Sequence, residues 1–241
     1  MLVVIALLAG FIGGFWLANS INRSAQQAIG PQPVAAPTAG AITTQQSSEP
    51  DLSVEEIKAK IDEADKNPTN FTYQKTLGIA LYRYSSIKQA PMLLTESMRI
   101  LERASSINGK DFEVLVALGN AHFDTGFANK DNASYQTARD IYTKALDIKP
   151  SDPDVQTDMA ITWFLQEPPA FDKAIAGLQK VSDANPKHIR SLQFMVQTYA
   201  KQGKSADAEK ALAKIKAIDP ASPVIAELTN LISAGQTGST K

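Results

Sequence analysis

Apolar positions along this chain follow three successive rhythms. From Leu2 to Ala18 they are almost unbroken, and residues 1–22 carry no charged side chain. Extended to Ile21 the run is about 20 residues, roughly 30 Å as a helix, which is enough to cross a bilayer. Residues 24–48 then lose both charge and aromatic side chains and are dominated by Pro, Ala, Gln, Thr, Gly and Ser. Such a stretch cannot bury enough apolar surface to offset its ordering entropy, and 23–50 is expected to be a flexible linker. From Asp51 to Ala234 apolar residues recur at spacings of three and four, the signature of amphipathic helices.

Within this helical region a single phrase returns. Pro150, Pro186 and Pro220 are each preceded, twelve residues earlier, by Ala138, Ala174 and Ala208. A bulky residue follows each alanine by four (Tyr142, Leu178, Leu212), and Ala145, Val181 and Ile215 come three later. A small residue permits close helix approach and the proline stops the helix. Ahead of each such helix a second one is written as an apolar residue, a small residue, and a bulky residue three on. These are Leu77-Gly78-Leu81, Leu118-Gly119-His122, Met159-Ala160-Trp163 and Met195-Val196-Tyr199. The unit is helix, turn, helix, stop, present four times, and a fixed period near 34 residues marks a stacked repeat.

The pattern resembles the tetratricopeptide repeat (TPR) family of helical hairpins. Leu118-Gly119, Gly126, Ala138, Tyr142, Ala145 and Pro150 carry the likeness in the second copy, and Tyr199, Gly203, Ala208 and Pro220 in the fourth. The first copy departs from it with Ser97 in place of alanine and Asn108-Gly109 in place of proline. The expected fold is an all-α solenoid of about four hairpins, at about 69–109, 111–150, 153–186 and 188–220. One hairpin cannot bury its apolar face alone, so stacked copies reuse the same small, bulky and stop residues. A leading helix is expected over 51–67, opened by a Ser53–Glu56 capping box. A capping helix is expected over 222–234, and 235–241 as a disordered tail. The first two copies are some seven residues longer than the fourth between their small residues, which lengthens either the loops or the helices.

The first 22 residues admit two readings, a retained transmembrane anchor or a cleaved signal peptide. No Lys or Arg precedes the apolar run, and Trp16 near its end suits an interfacial anchor. Ala6, Gly10, Gly14 and Ala18 form a small-residue stripe that would let another helix approach in the bilayer. Arg23, with no basic residue before the run, places the repeats on the cytoplasmic side of a bacterial cell membrane. The chain also resembles TPR domains of cytochrome c biogenesis proteins, and that likeness implies the periplasmic side.

The remaining composition removes chemistry. The formal net charge is −1 and cysteine is absent, so there is no basic field for nucleic acid and no thiolate site. Two histidines, His122 and His188, are too few for a histidine metal centre. No nucleophile, base and orienting acid stand in a recognisable pattern. No cofactor or metal is expected, and the chain is expected not to be an enzyme.

What remains is a surface. One turn past the small residue stand Tyr82, Phe123 and Phe164, either as a ladder in a groove or as rings packed under neighbouring hairpins. Lys75, Arg83, Asn120, Asp124, Arg190, Gln193, Gln197 and Lys201 accompany them by the same periodicity. Aromatics rimmed by amides and charges suit a peptide or a partner helix. By resemblance the function is a membrane-anchored scaffold for assembly or maturation of an envelope or cytochrome complex. The alternative is a structural subunit of a membrane complex, held mainly through its transmembrane helix.

Overall fold

The computed structural model describes residues 53–238. The anchor at 1–22 with its Ala6, Gly10, Gly14 and Ala18 stripe, and the linker at 23–50, lie outside the described residues. Among the described residues no helix is long and apolar enough to cross a membrane. They form ten helices and no strand, in two compact units that divide after Ile107.

The first unit holds α1 (Val54–Lys66), α2 (Phe71–Lys88) and α3 (Pro91–Ile107). The expected capping box opens α1: Ser53 Oγ accepts the Glu56 N–H at 3.2 Å and Glu56 Oε2 accepts the Ser53 N–H at 2.8 Å. Ile57 and Ala64 bury one face of α1 with Leu77, Leu81 and Ile100, and Ile61, Tyr73, Tyr84 and Leu93 ring this cluster. Each fully buried aliphatic side chain contributes about 1.5–3 kcal/mol. Polar contacts fix the register of α1. Arg99 grips Asp65 with two bonds of 2.6 and 3.0 Å, and Arg103 adds a third at 3.0 Å. The fully buried Gln74 donates to the carbonyls of Ala64 at 2.7 Å and Asn67 at 2.9 Å, closing the C-terminus of α1.

The second unit stacks α4 (Phe112–Asn129) with α5 (Asn132–Ile148), α6 (Pro153–Leu165) with α7 (Phe171–Ala184), and α8 (Ile189–Lys201) with α9 (Ser205–Ile218). Helix α10 (Val224–Gly238) packs on α8 and α9. It runs past Ala234, so the segment expected to be disordered is helical as far as Gly238. No proline interrupts it there, and Gly235 inside it costs the helix only about 1 kcal/mol, with Gly238 at its last position.

The seven-residue excess of the first two copies is helix, not loop. Helices α2 and α4 have 18 residues against 13 in α8, and α3 and α5 have 17 against 14 in α9. Both long hairpins turn over two residues, through left-handed Gln89 (φ 51°) and Lys130 (φ 53°). The two turns are hydrogen-bonded alike, Ala90 N–H to Ser85 O and Asp131 N–H to Gly126 O, each at 3.0 Å.

The small-residue slots are where paired helices touch. A Cβ at Gly78 would stand 2.8 Å from Leu101 Cγ, and one at Gly119 would stand 2.6 Å from Tyr142 Cε1. Only glycine admits those side chains at that distance. Tyr142 is fully buried, and its hydroxyl donates to Asn120 Oδ1 at 2.7 Å.

Candidate functional site

Eleven residues were expected to line a groove, and the structure divides them. Lys75, Tyr82 and Arg83 lie in the first unit, and Asn120, Phe123, Asp124, Phe164, Arg190, Gln193, Gln197 and Lys201 in the second. Tyr82 is buried at 9 % exposure while Arg83 is exposed. Of the two readings of Phe123 and Phe164, the structure supports packing, with exposures of 3 % and 4 %. Phe123 meets Tyr135 edge-on at 5.9 Å. Phe164 packs against Phe171 at 6.1 Å and Phe194 at 5.9 Å. The reason is helical geometry. Four residues on from the small slot return to within about 40° of the same face, the face turned to the paired helix. Tyr135 and Phe171 belong to those paired helices, α5 and α7. The rings are therefore core of the second unit, not an open ladder.

The polar members sit elsewhere on their helices. On α8, Arg190, Gln193, Gln197 and Lys201 fall on one stripe, turned by about 60–140° from the small-residue face. The neighbours of Arg190 on α6 are acidic. The buried Arg190 guanidinium is ion-paired with the buried Asp158 carboxylate, and its Nη1 is 4.0 Å from Asp154. His188 caps α8, its Nδ1 accepting the Ser191 N–H at 3.3 Å. That role leaves Nδ1 unprotonated, so Nε2–H faces Asp154 at 3.2 Å. These partners were missed in the sequence, yet a signal was there. Asp154 and His188 are 34 residues apart, as are Asp65 and Arg99, so opposite charge or hydrogen-bonding capacity recurs at the repeat period.

The stripe contains one exposed charge and a buried amide donor with no partner. Lys201 is exposed as a residue, while its ammonium stands 5.0 Å from the centre of the Phe164 ring. Burial there lowers its pKa, and Glu167 opposes the shift. Glu167 and Asp124 also act on Tyr135, whose phenol is raised above its usual value, chiefly by burial. Gln193 and Gln197 are buried, at 9 % and 6 % exposure, and Gln197 Nε2 has no hydrogen-bond partner. Among the described residues no three His, Asp or Glu side chains gather as metal ligands.

Residues 170–232 match the tetratricopeptide repeat family model. Solved structures repeat the architecture over most of the described residues. A MamA crystal structure aligns with 74 % of this chain and 90 % of its own, at 20 % identity and a TM-score of 0.54. The fold is that of a TPR protein. MamA from Desulfovibrio magneticus RS-1 aligns with 78 % of this chain and 87 % of its own, at 13 % identity and a TM-score of 0.51. A TPR protein from Parabacteroides merdae aligns with 76 % and 65 %, at 16 % identity and a TM-score of 0.59. No curated protein matches the sequence. These TPR likenesses concern the fold.

Proposed function

We propose that this chain is a non-catalytic scaffold, anchored in a bacterial cell membrane through residues 1–22, that holds a protein partner along the polar stripe of α8. The orphaned Gln197 amide carries this reading. A buried N–H donor without an acceptor costs about 1–3 kcal/mol, and a rotation of the Gln197 side chain that brings its amide to an occupant's backbone carbonyl would recover that cost. Gln193 and Arg190 continue the same stripe toward the acids of α6. The partner is an extended segment or a helix that offers carbonyls to Gln193 and Gln197. The process served, by resemblance, is assembly or maturation of an envelope or cytochrome complex.

Copurification from native membranes tests this. Gln193→Ala with Gln197→Ala should reduce recovery of a stoichiometric partner about tenfold while leaving the far-ultraviolet helical spectrum unchanged. Gly10→Leu with Gly14→Leu should spare it. The reverse pattern would assign the interaction to the membrane helix and make the chain a structural subunit.

A further inference from the structure

The two long hairpins share helix lengths, turn length and hydrogen bonding, and differ sharply at their tips. In the first unit the α2–α3 turn exposes Ile87 at 49 % and Met92 at 84 %. These are two of the five large hydrophobic side chains exposed among the described residues. From Tyr82 to Thr95 there is no acidic residue, while Arg83 and Lys88 are both exposed. The α4–α5 turn carries Asp124, Lys130, Asp131 and Asn132 over the matching stretch, and none of the five exposed hydrophobics. Since both turns solve the same backbone problem, folding does not require the apolar tip.

We propose that the α2–α3 turn of the first unit docks into the headgroup region of an anionic bilayer, with Met92 and Ile87 entering the acyl boundary and Lys88 and Arg83 meeting lipid phosphates. An exposed apolar pair flanked by basic residues is the composition of an interfacial anchor. The proposal rests on the membrane-anchor reading above. Residues 23–52 reach at most roughly 100 Å when extended, which keeps the first unit near any bilayer that holds residues 1–22. The orientation of the first unit would then be set by two points rather than by a free tether.

The chain has no cysteine, so single-cysteine variants label cleanly. The full chain with Met92→Cys, carrying a nitrobenzoxadiazole label, is reconstituted into phosphatidylcholine–phosphatidylglycerol vesicles with brominated acyl chains. Lys130→Cys at the other turn is the reference. Quenching at Met92→Cys about twofold or more above the reference supports the proposal, provided it falls to the reference in pure phosphatidylcholine or with Arg83→Glu and Lys88→Glu. A chain that floats with the vesicles but shows equal quenching at both turns overturns the docking while leaving the anchor. A chain that does not float overturns the anchor and the docking with it. A blue shift at Met92→Cys that requires added membrane proteins identifies a protein-docking face and refutes the lipid one.

Discussion

Gly119 is the position where the packing of the second unit is most easily tested. A Cβ there would lie 2.6 and 2.7 Å from Tyr142 Cε1 and Cδ1, inside any real contact distance. The ring is wholly buried and tied by its hydroxyl to Asn120, so it cannot swing aside without breaking that bond. Overpacking costs about 1–3 kcal/mol, and loss of the buried hydrogen bond about 1 kcal/mol more. Against this, Gly→Ala in a helix interior gains about 1 kcal/mol in propensity. The sum is a net loss of about 1–3 kcal/mol for Gly119→Ala, and more for Gly119→Leu. The chain has two tryptophans, Trp16 and Trp163, and the latter lies in the second unit with the Arg139 guanidinium 3.8 Å from its ring centre. In a Trp16→Phe background, Trp163 fluorescence therefore follows unfolding of that unit in urea. A raised midpoint for Gly119→Ala would mean that propensity wins, and it would refute the close approach of α4 and α5 at this slot.

Three further outcomes follow from the packing. Gln74→Leu removes the shortest of three bonds to the Ala64 carbonyl, which keeps the Asn67 N–H and Arg103 Nη1 at 3.2 Å, and it should destabilise the docking of α1 by about 1 kcal/mol, read as faster amide exchange in Val54–Lys66. Hydrogen bonds from Arg99 depress the Asp65 carboxyl, and the capping bonds from Ser53 depress Glu56, so both contribute stability above the ordinary carboxylate pKa near about 4. That contribution should be lost as pH falls through the lowered folded values, and α1 should then loosen first; amide protection factors in α1 unchanged between neutral pH and pH of about 3 would contradict it. Phe164→Ala should cost about 3–5 kcal/mol by denaturation, because the ring fills the space between Phe171 and Phe194, and a small effect would return it to the surface.

Much of the fold was legible because each repeat slot carries a steric demand. Gly78 and Gly119 are small since Leu101 and Tyr142 lie against them, and the spacing alone locates such pairs. The added length of the first two copies could be counted but not placed. Left-handed Gln89 and Lys130 make turns without the glycine that would have marked them, so nothing in the residues separates longer helices from longer loops. Of the candidate site, the polar stripe of α8 is legible as one face from its spacing, whereas Phe123 and Phe164 needed the angular position of each residue relative to the paired helix. Gln74 was invisible for another reason. Its value depends on two carbonyls at the end of α1, which the turn at 67–70 brings within reach only in the folded chain.

The most direct test of the scaffold reading is site-specific photocrosslinking in native membranes, with a benzophenone side chain placed at Lys201, the exposed end of the polar stripe of α8, and, separately, at Lys210 on α9. The account predicts one discrete adduct from Lys201 and none from Lys210, in a full chain that retains residues 1–22. Equal labelling at both positions, or adducts formed only from the membrane segment, would contradict it.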